Sequence, residues 1–263
     1  MNTILITGAG SGIGRATALA LAERSGLRLL LLGRRLEPLK EVWNELANRD
    51  DHAFASVDVS LREELVAWLD GAQASLDEHP LVGVFANAGI GGPNSFGEGD
   101  RWDEIVRINL TGTYNTLLAC YPYLNKSPGI KHALVTSSVL ARFGVPGQTA
   151  YVASKTGLLG LVRSLAVEWS PQGIMVNAIC PGWVETEMAK SSIQAMADAQ
   201  GITYDESKAQ QEAILPAKRV SSPEEIAQWV DFLFSGLADG CDKSRIETFT
   251  GQALDVNSGS WMG

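Results

Sequence analysis

The feature of this sequence that most constrains its fold is a regular alternation between short apolar runs and longer amphipathic segments. The apolar runs are Thr3–Thr7, Leu27–Leu32, His52–Val57, Leu81–Ala86, Ala133–Ser137, Met175–Ile179 and Gln252–Val256. Short runs without polar alternation are typical of strands buried on both faces. The segments with the length and period of helices are Gly14–Arg24, Leu36–Asn48, Arg62–Asp77, Ile105–Leu124, Ala153–Ser170 and Pro223–Phe234. The pattern therefore predicts strands that alternate with helices along the chain.

Strands that alternate with helices favour right-handed βαβ units, because parallel strands need a long crossover connection. We expect an α/β fold of the Rossmann type: a doubly wound, mostly parallel seven-stranded sheet with helices on both faces. The 263 residues show no repeat and no linker rich in Pro, Gly and Ser, which favours a single domain over residues 1–263. The polar segment 186–220 is too long for an ordinary loop, and we interpret it as a helical lid over a substrate.

The charge balance disfavours two classes of partner. The chain has 21 Lys and Arg against 30 Asp and Glu, a net charge of −9. Nucleic acids and anionic membrane surfaces attract basic faces, so we expect neither as a partner. No apolar run approaches the roughly 20 residues of a membrane span, and the N-terminus lacks a basic signal region. We therefore expect a cytoplasmic protein.

Cysteines and histidines are few and scattered, so we predict no metal site and no disulfide framework. Three cysteines are expected to be reduced and buried or idle: Cys120, Cys180 and Cys241. Three histidines show no metal-ligand spacing and are expected on the surface or in loops: His52, His79 and His132.

A glycine-rich turn follows the first predicted strand and precedes the first predicted helix. It reads Thr7-Gly8-Ala9-Gly10-Ser11-Gly12-Ile13-Gly14, a GxxxGxG variant of the dinucleotide-binding GxGxxG spacing. Glycine permits the tight turn and the close approach of a pyrophosphate, and the helix N-terminus attracts the anion. We predict that the cofactor phosphates contact Gly8, Ser11, Gly12, Ile13 and Gly14. The alternative is a tight turn that binds no ligand.

Two arginines follow the second predicted strand, where a carboxylate that binds the ribose of NAD is usual. This chain has Gly33-Arg34-Arg35 at that place. An arginine offers a 2′-phosphate a charge-assisted hydrogen bond, whereas a carboxylate would repel it. Arg34 and Arg35 therefore favour NADP(H) as the cofactor. NAD(H) stays possible if both arginines are solvated residues at a helix start.

A serine, a tyrosine and a lysine form a candidate catalytic group. Ser137 and Ser138 end an apolar run, and Tyr151 and Lys155 share one face of a helix at positions i and i+4. A nearby ammonium stabilises a phenolate and lowers the pKa of the tyrosine. Such a tyrosine can exchange a proton with a carbonyl oxygen that a neighbouring hydroxyl holds. The YxxxK spacing alone is common by chance.

Together these motifs resemble the short-chain dehydrogenases/reductases, and the resemblance covers nearly the whole chain. The matching positions, in order, are Thr7–Gly14, Asp58-Val59, Asn87-Ala88-Gly89, Asn109, Ser138, Tyr151, Lys155, Pro181-Gly182 and Thr186. The chain departs from the family pattern at Ala86, where Asn is usual, and at Asn257-Ser258-Gly259, where a Gly-Gly pair is usual.

The resemblance implies a metal-free hydride transfer between a nicotinamide and a ketone or secondary alcohol. It assigns Tyr151 as the general acid or base and Lys155 as the residue that lowers its pKa and holds the ribose. Ser138, thirteen residues before Tyr151, would orient the substrate oxygen, with Ser137 as its close rival. Asn109 would anchor a water that relays protons, unless it is a structural cap.

The resemblance also implies the remaining cofactor contacts. Asp58 and Val59 would contact the adenine, although Asp58 could be a surface acid at a strand end. The other residues expected around the ribose and nicotinamide are Asn87, Ala88, Gly89, Pro181, Gly182, Val184 and Thr186. Thr186 could instead, or in addition, cap a helix.

Substrate contacts are expected from the loops beyond the carboxyl ends of the strands. The candidates are Ser138, Leu140, Gln148, Trp183 and Met188, and Trp183 could equally be a packing residue. We expect a small carbonyl substrate, a 3-oxoacyl compound or a cyclic ketone. The alternatives are an NAD-dependent secondary-alcohol dehydrogenase and a catalytically silent cofactor-binding regulator.

The family resemblance further implies a homo-oligomer, a tetramer or dimer, built partly on the helices Ile105–Leu124 and Ala153–Ser170. The charged stretch Ala238–Thr248 is expected to be an exposed loop, and in the family such regions often lie near subunit contacts.

Overall fold

The computed structural model describes residues 1–237 and 247–263, so most of the predicted 238–248 loop lies outside the described residues. Its strands are β1 Asn2–Thr7, β2 Leu27–Gly33, β3 Ala53–Ser56, β4 Leu81–Ala86, β5 Lys131–Thr136, β6 Ile174–Pro181 and β7 Ala253–Val256. They form one seven-stranded sheet in the order β3-β2-β1-β4-β5-β6-β7. Every neighbouring pair is parallel, so the predicted mostly parallel sheet is all-parallel in the structure.

The helices are α1 Gly12–Ala22, α2 Leu36–Glu45, α3 Arg62–Gly71, α4 Gln73–Glu78, α5 Trp102–Val106, α6 Gly112–Lys126, α7 Thr149–Trp169, α8 Glu187–Gln200, α9 Tyr204–Ile214 and α10 Pro223–Phe234. The prediction of a single helix over Arg62–Asp77 is wrong, because the structure divides it at Ala72 into α3 and α4. The φ of −90° and ψ of −2° at Ala72 depart from regular helical values. Gly71, a poor helix former, precedes the break.

The helix predicted over Ile105–Leu124 is also more complex than the sequence indicates. It begins earlier, at Trp102, and contains a π-helical turn over Arg107–Thr111 between α5 and α6. Such wide turns occur frequently at functional sites. Asn109 lies within this turn and is fully buried.

The core has two parts, one on each face of the sheet. Leu5 packs on the face that α3, α6 and α7 cover, while Ile4 and Ile6 pack on the face that α1 and α10 cover. Successive side chains of a strand point to opposite faces, so both faces need apolar residues. This explains why the strands appear in the sequence as continuous apolar runs.

Two of the three histidines are buried. His132 lies within a strand, which corrects the expectation of a surface or loop position, whereas His52 lies in the loop before β3, as expected. His132 lies in β5, where burial lowers its pKa to about 4. Burial also lowers the pKa of His52, whose Nδ1 accepts a hydrogen bond from the Leu29 N–H at 3.2 Å. Both side chains therefore pack as neutral residues.

The strand order places a crevice between β1 and β4. The chain leaves β1 toward β2 on one side and later returns to β4 on the other, so the connections diverge there. Ligands of open parallel sheets bind at such a point, beyond the carboxyl ends of the strands. The two helices α8 and α9 lie in the connection that follows β6. No helix of the two described stretches is long and apolar enough to cross a membrane.

Candidate active site

The glycine turn has the backbone shape and the close packing that require glycine. Gly8 and Gly12 have φ angles of +65° and +51°, in the left-handed region. A Cβ on Gly14 would lie 2.2 Å from the carbonyl oxygen of Gly8, and one on Gly8 would lie 2.9 Å from the Cα of Ala88. Ser11, the N-cap of α1, makes no side-chain capping bond, so the first N–H groups of α1 stay available to an anion.

A cleft extends from this turn along the carboxyl edge of the sheet. It brings together many of the predicted cofactor residues with neighbours that were not predicted. Its lining includes Gly8, Gly10, Ser11, Gly33, Arg34, Arg35, Pro38, Asp58, Val59, Ala88, Gly89 and Ile90. The glycine cradle and the elongated cleft fit a dinucleotide.

Arg34 and Arg35 border this cleft and are exposed. Within the described residues, neither guanidinium forms an ion pair or a hydrogen bond to a side chain; the carbonyl of Arg34 accepts a bond from the Ser56 hydroxyl at 2.9 Å. Arg35 is the residue before the first turn of α2. Both positive charges are therefore available to a ligand in the cleft.

Asp58 shapes the far end of the cleft. Its carboxylate accepts a hydrogen bond from the Ser60 N–H at 2.8 Å, and its own N–H donates to the Glu64 carboxylate at 2.9 Å. This local turn fixes Asp58 and Val59 against the cleft, so a structural role and a contact with a ligand are compatible.

The side chain of Asn87 joins the carboxyl ends of three strands. Its Nδ2 donates to the Thr7 carbonyl at 3.2 Å, and its Oδ1 accepts from the Thr136 hydroxyl at 3.0 Å. The N–H groups of Asn87 and Ala88 both donate to the Thr7 hydroxyl. The amide of Asn87 is thus engaged in holding β1, β4 and β5 together.

Tyr151, Ser138 and Lys155 lie close together beside the strand ends that Asn87 joins. The Lys155 ammonium is buried, donates to the Thr136 carbonyl at 2.8 Å, and lies 5.7 Å from the centre of the Tyr151 ring. Burial raises the pKa of Tyr151, while a hydrogen bond with Ser138 opposes the rise. Burial lowers the pKa of Lys155 to about 8.

These directions differ from the prediction that Lys155 lowers the pKa of Tyr151. In the protein alone, the ammonium is held by the Thr136 carbonyl and by the face of the tyrosine ring. Desolvation therefore has the larger effect on both groups, because it disfavours the phenolate as well as the ammonium.

The two neighbouring serines have different partners. The Ser137 hydroxyl donates to the Lys155 carbonyl at 2.8 Å and holds α7 against β5. The Ser138 hydroxyl instead interacts with Tyr151 and accepts a bond from the Leu140 N–H at 3.1 Å. This arrangement favours Ser138 over Ser137 as the group that faces a substrate.

Asn109 bridges the loop after β4 and helix α7. Its Oδ1 accepts from the Ile90 N–H at 2.8 Å, and its Nδ2 donates to the Ile90 carbonyl at 3.0 Å and to the Ser154 hydroxyl at 3.2 Å. A Cβ on Gly89 would lie 3.2 Å from Asn109 Oδ1 and 3.4 Å from Lys155 Nζ. Asn109 therefore lies beside Lys155 and acts as a bridge, not as a helix cap.

Thr186 lies beside the glycine turn at the start of α8. Its hydroxyl accepts a bond from the Ala189 N–H at 3.3 Å and caps the helix. Its methyl group lies 2.9 Å from the position of a Cβ on Gly12. The predicted capping role is confirmed, and the contact with the turn is compatible with the predicted cofactor role.

The other predicted residues after β6 have structural contacts. Pro181 ends β6, and Gly182 approaches the backbone of Asn257 so closely that a Cβ would lie 2.9 Å from its carbonyl oxygen. Val184 is buried and forms a parallel bridge with Ser221, and the Trp183 carbonyl accepts the Ser221 N–H.

The candidate substrate residues Leu140, Gln148 and Met188 come from three segments. Leu140 is half-buried in the turn after Ser138, and Gln148 immediately precedes α7 without a side-chain capping bond. Met188 of α8 reaches the loop after β4, where its sulfur lies 2.8 Å from the position of a Cβ on Gly91.

Asn94 and Arg142 lie in loops that were predicted to border the substrate, but their positioning roles were not predicted from the sequence. The Asn94 side chain accepts the Ala150 N–H at 2.9 Å, and its N–H donates to the Gly147 carbonyl at 2.9 Å, which ties the loop after β4 to the start of α7. Arg142 forms a two-point ion pair with Asp255 at 2.9 and 3.2 Å and stacks on Trp261 at 4.7 Å. Neither belongs to a motif, and only their place in loops after strands could have suggested them.

No group of three or more His, Cys, Asp or Glu side chains suited to a metal ion exists among residues 1–237 and 247–263. Cys120 and Cys180 are buried free thiols, and the third cysteine of the sequence lies outside the described residues.

Comparison with known proteins agrees with this geometry. A family model described as short chain dehydrogenase matches residues 2–197. The 3-oxoacyl-[acyl-carrier-protein] reductase FabG of Aggregatibacter actinomycetemcomitans is 31% identical over 262 residues, which cover 98% of each chain.

Two solved structures are similar over almost the whole chain. Levodione reductase has a TM-score of 0.85 at 30% identity, with 98% of this chain and 96% of that chain covered. A single-residue variant of the actinorhodin polyketide ketoreductase, solved with NADPH, has a TM-score of 0.86 at 30% identity, with 98% and 97% covered. With the site geometry, these similarities show that the chain is an NAD(P)-dependent oxidoreductase of the short-chain dehydrogenase/reductase family.

Proposed function

We propose that this enzyme reduces a ketone to a secondary alcohol with NADP(H). The observation that carries the cofactor preference is the pair of exposed arginines, Arg34 and Arg35, on the border of the cleft. Within the described residues their guanidinium groups have no acidic partner, so a 2′-phosphate would meet two positive charges. The adjacent position is Gly33, so it provides no carboxylate to hold a ribose hydroxyl or to repel this phosphate.

The reacting carbonyl would lie between Ser138 and Tyr151. Bound NADPH would supply the hydride to the carbonyl carbon. Ser138 would donate a hydrogen bond to the carbonyl oxygen as negative charge develops there, and Tyr151 would transfer its proton to that oxygen. Tyr151 carries a proton at neutral pH that it can transfer, although burial raises its pKa and makes it a weaker acid in the protein alone. Lys155 would supply a positive charge beside the phenol and a donor for the ribose.

Asn109 would hold the loop after β4 in register with α7 and would place a water near Lys155. The cofactor would lie along Ala88 and Gly89, with the pyrophosphate over the glycine turn. Thr186 would contact the cofactor beside the glycine turn, because its methyl group lies against Gly12. The family resemblance assigns it to the nicotinamide carboxamide.

The substrate class that we favour is a 3-oxoacyl compound or a cyclic ketone. Two observations support it: the names of FabG, levodione reductase and actinorhodin polyketide ketoreductase, and the paired state of Arg142, the cation nearest to Ser138 in the chain. We further propose that α8 and α9 act as a lid and that residues 1–263 work as one catalytic unit.

A homo-oligomer built on α6 and α7 is also part of the proposal. Tyr114 of α6 and Val167 of α7 expose 41% and 79% of their surfaces, which a second copy of the chain could cover. Light scattering coupled to size exclusion would give the mass of the particle, and a monomer would refute this part.

Cofactor titration tests the main proposal. We expect NADPH to bind at least tenfold more tightly than NADH, about 1.4 kcal/mol. The double variant Arg34→Ala/Arg35→Ala should lose about 10- to 100-fold in NADPH affinity, since hydrogen bonds between charged groups contribute about 1.5–3 kcal/mol. Its NADH affinity should change little.

Arg49→Ala is the matched control, because Arg49 is exposed and follows the opposite end of α2. Its removal should leave the preference intact. Equal affinity of the wild-type protein for NADH and NADPH would refute the preference for NADP(H) and favour an NAD-dependent dehydrogenase. Tight binding of NADPH without turnover of any ketone would refute the reductase and favour a cofactor-binding regulator.

A further inference from the structure

The segments around the site entrance carry more acidic than basic side chains. These entrance segments follow the carboxyl ends of β4, β5 and β6 and comprise residues 87–101, 137–148 and 182–222. The carboxyl ends of parallel strands meet at one edge of a sheet, so the first residues of each segment lie near one another. Met188 at the start of α8 lies against Gly91, and Asn94 joins Asp100 to the residue before Tyr151. The acids of the entrance segments are Glu98, Asp100, Glu185, Glu187, Asp198, Asp205, Glu206 and Glu212, and their bases are Arg101, Arg142, Lys190, Lys208, Lys218 and Arg219.

Every one of these bases already has a partner in the described structure. Four are paired with acids close by in the same part of the molecule: Arg101 with Glu104, Lys190 with Glu187, Lys208 with Glu185, and Arg219 with Glu225. Lys218 donates to the Ala213 carbonyl at 2.5 Å at the end of α9.

Arg142 is the base nearest to Ser138 in the chain, and it is the most firmly held. Asp255 binds it at two points, and the ring of Trp261 covers its guanidinium at 4.7 Å. Both members of the ion pair are largely buried, with 20% and 23% of their side chains exposed. Removing Arg142 from Asp255 to bind a substrate would leave the carboxylate without its partner, which is costly in a buried position.

The unpaired acids give the entrance segments a net negative charge. Glu98, Asp100, Asp198, Asp205 and Glu206 have no cationic partner in the described structure. The cofactor end of the cleft has the opposite character, because Arg34 and Arg35 are exposed there. An anion is attracted to the arginine end and repelled from the entrance, over distances set by the Debye length of about 8 Å at physiological salt.

We infer that the substrate is an uncharged, free ketone, and that the acidic entrance discriminates against anionic and phosphate-bearing carriers such as a coenzyme A thioester. This inference rests on the proposed ketone reductase and narrows its substrate class. Lys190 and Lys208 line a pocket between α8 and α9, and their charges are offset by Glu187 and Glu185. In this inference they are the bases that a carrier phosphate would otherwise meet.

Matched substrates test the inference. With NADPH, kcat/KM is measured for the N-acetylcysteamine thioester of 3-oxobutanoate and for its coenzyme A thioester. A second pair is methyl 4-oxocyclohexanecarboxylate and the free 4-oxocyclohexanecarboxylate anion. We expect the uncharged member of each productive pair to be favoured about tenfold or more at low salt, and the ratio to shrink as salt screens the charges.

The double variant Glu185→Gln/Glu187→Gln should lower the ratio, because it frees both lysines. Glu23→Gln/Asp77→Asn removes the same charge from exposed positions that follow α1 and lie near the end of α4, and it should leave the ratio unchanged. The ratio is independent of the fraction of folded enzyme, since both substrates are measured on one preparation.

The outcomes separate the inference from the function on which it rests. Equal kcat/KM for charged and uncharged members, without salt dependence, would overturn the inference and leave the reductase intact. NADPH binding without reduction of any of the four ketones would overturn the reductase and the inference with it.

Discussion

Replacing Gly14 by alanine perturbs the tightest contact of the glycine turn. The new Cβ would lie 2.2 Å from the Gly8 carbonyl oxygen and 2.7 Å from the Asn87 amide nitrogen, against an ordinary contact of 3.4–4 Å. The Gly8 backbone has no free space behind it, because it packs against Ala88. Helix α1 must therefore move away from β1 by about 1 Å, and overpacking of this kind costs about 1–3 kcal/mol.

For a chain of this length, each kcal/mol lowers Tm by about 2–4 °C, so we expect a fall of about 2–12 °C. A displacement of about 1 Å at a site that orients reactants can reduce the rate about 100-fold. Thermal unfolding and NADPH titration by fluorescence measure the two effects.

Gly71→Ala is the matched control, because nothing lies within 4 Å of the new Cβ at the end of α3. It should be neutral or should stabilise by about 0.5–1 kcal/mol. If Gly14→Ala were as stable as the wild-type protein and bound NADPH equally well, the steric reasoning would be refuted.

Three further predictions concern single side chains. Tyr151→Phe should bind NADPH normally but reduce ketones about 100- to 10,000-fold more slowly, and steady-state turnover near the wild-type value would exclude the proton-transfer role. Burial lowers the pKa of Lys155 to about 8 in the folded protein. Between pH 8 and about 10, the unfolded state of the protein therefore binds more protons than the folded state. The stability of the wild-type protein relative to Lys155→Met should thus rise by about 1 kcal/mol per pH unit in that window, and parallel urea-unfolding profiles would contradict this. A hydrogen bond from Arg219, with a second from the Ser222 N–H, lowers the pKa of Glu225 to about 2, so its contribution is complete above the ordinary carboxyl pKa and declines as pH falls. Glu225→Gln should therefore destabilise more at pH 7 than at pH 4, and an equal loss at both pH values would disprove the assignment.

The sheet could be predicted because burial on both faces leaves a strong signal. The continuous apolar run of β4 predicts its bounds, Leu81–Ala86, without error. The breaks in the helices were harder to predict from the sequence. The interruption at Ala72 and the π turn around Asn109 depend on local hydrogen bonding and on packing against distant segments, which a periodic pattern does not encode.

The grouping of the site residues was likewise predictable, but their electrostatics were not. Motif spacing brings Tyr151 and Lys155 to one helix face. The direction of both pKa shifts, however, depends on how deeply the two groups are buried and on the Thr136 carbonyl that holds the ammonium. Burial of a side chain by distant elements is a tertiary property, so the sequence predicted the partners of the site without predicting their desolvation.

The hydrogen bonds of Asn87, which join the ends of β1, β4 and β5, have a consequence for engineering this enzyme. Asn87 joins the strand ends beneath the glycine turn to the hydroxyl of Thr136, whose carbonyl holds Lys155, so the reacting groups rest on the sheet itself. The loops after β4 and β5, in contrast, attach through separate side chains such as Asn94 and Arg142. We therefore expect that exchanging loops between these anchor points would change the entrance and leave the support of Lys155 in place.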